Sequence, residues 1–207
     1  MLRIVFYFSY SNRKGNCSDE KVLFFVYDEY ADFQIGHLLF FLKKLGKMKV
    51  DVASLHGKEV VSLGGLKVCA ANRLQEAKMD EYDLFLIPGG DGVHSLLKQK
   101  ILHDKLLEAY EKNILIAAMC GSVICLAEAE LLNQKAFTCN ELTFNQFQDI
   151  FIQGNYTGKS IETSTSGIIT AKGTAFALFT IAVLENLKLL QNDNQREHIR
   201  AFCKGEA

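Results

Sequence analysis

Long apolar runs are missing from this chain, and none approaches the ~20 residues that a membrane-spanning helix needs. An excess of charge of either sign is missing too. There are 23 Lys+Arg against 24 Asp+Glu, a net charge of −1, which argues against a partner bound through the nucleic-acid backbone. There is no C-x-x-C pair, and the five histidines do not cluster with cysteines, so neither a structural zinc site nor any other cofactor is expected. Internal repeats and low-complexity tracts are absent, and 49% apolar residues in 207 exclude disorder. The six cysteines, Cys17, Cys69, Cys120, Cys125, Cys139 and Cys203, are scattered and mostly sit inside apolar segments. That placement favours reduced thiols in a cytoplasm over a disulfide framework. The apolar stretch Ile4–Phe8 is too short for an export signal, and no A-x-A-like cleavage site follows it. Residues 1–20 are therefore expected to be an extension, a short strand or weakly ordered, ahead of a single domain over 21–207.

What is present reads as alternating strands and helices. Lys21–Tyr27 (KVLFFVY), Asp83–Ile87 (DLFLI) and Ile114–Met119 (ILIAAM) are short continuous apolar runs, the pattern of strands buried on both faces. Asp32–Leu45 has helical spacing, with Asp32 available to cap it and Gly46 to stop it, and Met48–Leu55 follows as a strand. Val60–Val68 suits a hairpin around Gly64–Gly65. Further helices are expected over Leu96–Lys112 (broken near Lys100–Leu102), Ser122–Leu132, Thr174–Leu190 and Gln195–Lys204. Short strands are expected at Ala136–Cys139, Asp149–Gln153 and Ile168–Thr170. Phe24, Phe25, Phe40 and Phe41 read as core, and Lys43, Lys44 and Lys47 as a solvated helix end. This order describes an α/β sandwich with a mostly parallel central sheet.

The most informative segment is Ala118-Met119-Cys120-Gly121-Ser122. A buried strand runs into Cys120 and a helix begins at once, the setting of a nucleophile elbow. Such a turn crowds its flanks, and Ala118 and Ser122 are small enough to fit. The helix N-terminus would favour the thiolate. A free cysteine here can equally be a small buried hydrophobe. Pro88-Gly89-Gly90-Asp91-Gly92 follows a neighbouring strand at the same carboxyl edge, where open α/β sheets bind ligands. The N–H groups of Gly90 and Gly121 could converge there as an oxyanion hole; an ordinary glycine turn is the plainer reading.

IPGGDG, AAMCGS and IITAKGTAFALFTIAVLENL together resemble the DJ-1/PfpI (ThiJ-type) family over about Lys21–Leu190. The resemblance implies a three-layer sandwich of the flavodoxin-like, class I glutamine amidotransferase-like kind, and a homodimer. It matches Cys120 to the family's elbow cysteine, and Gly90 and Gly121 to its oxyanion-hole positions. The activities it implies are diverse: glyoxalase- or deglycase-like chemistry on small carbonyls, peptidase or amidase activity, chaperone activity and oxidative-stress sensing.

Two departures bear on mechanism. Where the family has a glutamate that donates to the cysteine sulfur, counting along KVLFFVYDEYADFQIG gives Gln34, which can donate but cannot shuttle protons. Asp32, two residues away, falls on a different face. Where the family has a histidine, the residue after the cysteine is Gly121, and the later position matches Cys139. Cys139 could act as a resolving thiol for oxidised Cys120, or simply fill the histidine's space. His94 could reach the pocket or face solvent, and His37, His56, His103 and His198 show no partner pattern, so a Cys–His–acid protease is not supported. Cys125 reads as core. Three functions follow: an enzyme acting on a small carbonyl or amide, a redox-responsive protein, and a non-catalytic member that binds a small ligand.

Overall fold

The computed structural model describes residues 20–206. The expected extension over residues 1–20, a short strand or weakly ordered, lies outside the described residues except for Glu20. In chain order the elements are β1 (Lys21–Phe25), α1 (Gly36–Lys44), β2 (Lys49–Ser54), β3 (Glu59–Val61), β4 (Lys67–Cys69), β5 (Asn72–Arg73), β6 (Leu84–Ile87), α2 (Lys100–Glu111) and β7 (Leu115–Met119). They continue with α3 (Val123–Glu128), β8 (Ala136–Phe137), α4 (Glu141–Gln146), β9 (Asn155–Tyr156), β10 (Ile161–Thr163), β11 (Ile168–Ala171), α5 (Phe176–Asn186) and α6 (Asp193–Lys204).

Seven strands form one sheet in the order β10-β11-β7-β6-β1-β2-β5, parallel except for β10 against β11. Every residue of β6, β7 and β11 is buried, as the unbroken apolar sequences of β6 and β7 require; in β11 the one polar side chain, Thr170, accepts from Thr138 N–H. From β1 the chain steps to β2 on one side, then returns to β6 on the other and continues to β7. Right-handed crossovers taken in opposite directions put α1 and α2 on opposite faces. Accordingly α5 packs on α1 and α6 on α5, while α3 packs on α2. The reversal between β1 and β6 opens a crevice at their carboxyl ends, the place where such sheets bind ligands.

Several boundaries differ from the sequence expectation. The helix expected from Asp32 is a 3-10 turn, Asp32–Gln34, followed by α1. Asp32 does not cap α1, because its carboxylate accepts from Phe33 N–H (2.8 Å) and the Ser62 hydroxyl (2.5 Å), pinning the β3–β4 hairpin. Another 3-10 turn, Asp91–Leu96, precedes α2, so the expected break falls just before Lys100, where Lys98 takes φ +59°. The strand expected at Asp149–Gln153 is a turn: Ile150 and Gly154 donate back to the carbonyls of Phe147 and Phe151. Only Phe151 there is buried, stacked on Phe137, and Ile152 is 75% exposed, so no face alternates to pair as a strand.

Candidate active site

β7 ends in an extended Met119, and the next residue, Cys120, takes φ +59°. A non-glycine residue held in that region costs about 1–3 kcal/mol and persists only where its surroundings enforce it. Here the enforcing group is the buried Ser122. Its hydroxyl accepts from Met119 N–H (3.2 Å) and is placed to donate to the carbonyls of Met119 (2.9 Å) and Ile87 (3.1 Å). Residues 120–122 form a 3-10 turn that leads into α3. Ala118 and Ser122 are both fully buried, as the small-residue requirement of the elbow predicts. Cys120 itself is partly exposed.

The sulfur lies between two bare α-carbons. A Cβ added to Gly89 would overlap Cys120 Cβ and lie 3.0 Å from Sγ, and one added to Gly173 would also lie 3.0 Å from Sγ. Glycine at 173, in the turn between β11 and α5, is thus required by close approach and was not singled out from the sequence. Gly90 adopts φ +148°, a conformation in which a side chain would overlap the Glu29 carbonyl. Around it, Gly89 C=O accepts from Ala31 N–H (2.7 Å) and Asp91 N–H donates to Glu29 C=O (3.1 Å). Those bonds fix the Pro88–Asp91 loop beside the elbow. Gly121 follows Cys120 in the first helical turn, where N–H groups have no intrahelical acceptor.

Gln34 is brought to the site as expected. Only 3% exposed, its Oε1 accepts from Gly89 N–H (2.9 Å), so its amide nitrogen faces the other way. A Cβ on Gly173 would meet Gln34 Nε2 at 2.8 Å, so amide and thiol flank the same α-carbon. Tyr27 donates to Pro88 C=O (2.9 Å), and its hydroxyl is pushed well above the usual tyrosine range by burial, then by charge at Cys125 and Cys120.

The residue after β8 that reaches Cys120 is Asn140, not Cys139. Asn140 Nδ2 donates to Cys120 Sγ (3.1 Å), and Asn140 Oδ1 accepts from Gly173 N–H (2.7 Å). The expectation for this position is therefore corrected by one residue. Cys139 is fully buried and its thiol points to the Asn140 carbonyl (3.4 Å). Burial, then charge at Cys120, pushes the Cys139 thiol up to about 12. Cys125 is fully buried within α3, its thiol raised mainly by burial. His94 is exposed and lies against the Phe147 ring (5.4 Å), while His37 contacts the Phe176 and Phe202 rings (5.8 and 6.1 Å). Among the described residues, no group of three or more His, Cys, Asp or Glu side chains is placed to hold a metal ion.

The family model of the DJ-1/PfpI family matches residues 20–186. The chain is 27% identical over 188 residues to the Bacillus subtilis protein named "Uncharacterized protease YoaZ", covering 85% of this chain and 87% of that one. It is 32% identical over 170 residues to "Uncharacterized protease YdeA" of the same organism, covering 80% and 82%. Among solved structures, a DJ-1 superfamily protein from Agrobacterium tumefaciens superposes with TM-score 0.79 at 20% identity, over 91% of this chain and 100% of that one. On the family match and the identity to YdeA, this chain belongs to the DJ-1/PfpI family.

Proposed function

We propose that this protein uses Cys120 as a nucleophile on small carbonyl or amide compounds, in glyoxalase-, deglycase- or amidase-like chemistry. The observation that carries the reading is the φ of +59° at Cys120, a strained turn that leaves a partly exposed sulfur between the bare α-carbons of Gly89 and Gly173. The Cys120 thiolate adds to the carbonyl carbon, and the carbonyl oxygen takes up the negative charge. The N–H groups of Gly90 and Gly121 receive that oxyanion, while Gln34 holds the Gly89 amide and with it the loop. An aldehyde gives a thiohemiacetal without a leaving group, once the alkoxide formed by addition takes a proton from water. An amide needs a proton delivered to its nitrogen, and the side chains nearest the sulfur, Asn140 and Gln34, are themselves amides. Small aldehydes such as methylglyoxal are therefore the first substrates to test. Consumption by the wild-type protein that is lost in Cys120→Ser supports this function; equal consumption by the variant contradicts it.

The same amides favour a second reading, a redox-responsive cysteine, because neutral donors stabilise an oxidised sulfur without needing to move protons. Peroxide-induced oxygen gain confined to Cys120, with no carbonyl turnover, would select it. Loss of both activities, with a small molecule co-purifying, would select a non-catalytic ligand-binding member.

The proposal includes a homodimer. Phe33, 59% exposed, precedes Gln34, and Leu63 and Leu66 are exposed at the hairpin tip pinned to Asp32, so apolar surface adjoins the site. It also includes a cytoplasmic location and a single domain over 21–207 preceded by an extension. Light scattering tests the dimer.

A further inference from the structure

We propose that Asn140 is the positioning residue for the Cys120 sulfur, and that it is diverted from capping a helix in order to do so. This rests on Cys120 being the reactive thiol, as proposed above. Asn140 has a choice of partners. Asn140 occupies the N-cap position of α4 with the extended backbone (φ −62°, ψ 140°) that lets asparagine cap, yet its side chain makes no capping bond. Asn192 holds the same position before α6, and its Oδ1 does accept from Gln195 N–H at 2.9 Å. In Asn140 both ends of the amide are instead committed to the site, Nδ2 to Cys120 Sγ at 3.1 Å and Oδ1 to Gly173 N–H at 2.7 Å.

The Gly173 bond removes the ambiguity of the amide. A backbone N–H must meet an oxygen, so the amino group must face the sulfur. A thiolate accepts such a bond far better than a thiol, so the contact favours the reactive form and fixes its direction. Asn140 also ties three segments together: the elbow, the turn before α5 and the start of α4. The titratable groups that feel charge at Cys120 are Tyr27 and Cys139. Both have raised pKa values and stay neutral near pH 7, so neither places a charge beside the sulfur; the cation felt in this region is Lys172, next to Gly173, which acts on Cys139.

Capping and positioning can be separated by substitution. Asn140→Asp keeps the shape and caps helices well, but offers the sulfur no donor and adds a negative charge. Asn140→Ala removes the donor to the sulfur and the acceptor for Gly173 N–H, and leaves no side chain able to cap. The test is peptide-resolved alkylation of Cys120 with iodoacetamide from pH 6 to 10 on full-length protein, alongside thermal melting. We expect Asn140→Ala to slow Cys120 labelling at pH 7 about tenfold or more, as for loss of a hydrogen bond to a charged atom. Its profile should move to higher pH. Asn140→Asp should melt at or above the wild-type temperature yet label more slowly still. If Asn140→Asp restores both melting and labelling, the residue is only a cap and the inference is overturned. A reactive wild-type Cys120 whose profile is unchanged in both variants overturns it as well, and leaves the proposed function standing. A wild-type Cys120 that labels no faster than the exposed Cys69 contradicts the proposed function and this inference together.

Discussion

Two cysteines five residues apart, Cys120 in the turn after β7 and Cys125 inside α3, share a chemistry and differ in everything around it. Cys120 takes a left-handed backbone, is partly exposed and receives an amide donor from Asn140. Cys125 sits in regular helix, fully buried, and burial pushes its thiol upward so that it stays protonated. The difference comes from backbone position. The turn carries one side chain out of the core at the sheet's carboxyl edge, and the helix then returns the next to the core. Exposure of the thiol in this segment is therefore a property of the turn, and small or absent side chains at Ala118, Gly89 and Gly173 are what let the turn form.

The sharpest way to break the comparison is to exchange the atoms at each site. Cys120→Ser should abolish carbonyl consumption by a factor on the order of a thousand or more, as removal of a nucleophile does, with unaltered melting; assays with methylglyoxal check it. Gly89→Ala should be next in size. Its methyl overlaps Cys120 Cβ, so a loss of about 1–3 kcal/mol by chemical denaturation is expected, together with slower Cys120 labelling. Cys125→Ser places a hydroxyl in a fully buried apolar site and should cost about 1–3 kcal/mol, while Cys120 labels at its wild-type rate. Loss of labelling in that variant would mean the two sites are not independent.

Alkaline pH should sharpen the same contrast. Burial in the folded protein pushes the Cys139 thiol up to about 12, against about 8.5 in an unfolded chain. The unfolded state therefore releases its proton first, and the associated stability, fully present below about pH 8.5, is lost as pH rises toward 12. Cys125 and Tyr27 shift in the same direction. Melting temperature should fall progressively above about pH 8.5, and less steeply in Cys139→Ala. The smallest effect is expected for His94→Ala, an exposed ring against Phe147: a change within about 0.5 kcal/mol and no change in Cys120 labelling.

The strands that build the site were legible in the sequence because burial on both faces demands unbroken apolar runs, and β1, β6 and β7 have them. The elbow was legible from its small neighbours, and Gln34 from the family resemblance, by counting along KVLFFVYDEYADFQIG. The segment after β8 was not. β8 is two residues long, so no alternation carries through Thr138 to tell whether Cys139 or Asn140 faces the sulfur. Helix α4 has no buried residue and six positions, too little for a periodic signal. The apolar run at Ile150–Ile152 imitates a strand, but only Phe151 is buried. Gly173 was hidden because its need for a bare α-carbon arises from Cys120 and Gln34, far away in the chain.

The most direct test of the central claim is competitive alkylation of the native protein at neutral pH, followed for each cysteine peptide by mass spectrometry. Cys69 serves as the internal standard because it is exposed on β4, whereas Cys120 is only partly so. If the elbow activates its thiol, Cys120 labels faster than Cys69 despite lower exposure, and Cys125 and Cys139 lag far behind both. If labelling simply follows exposure, with Cys69 first and Cys120 behind it, the turn after β7 confers no reactivity and the account is wrong.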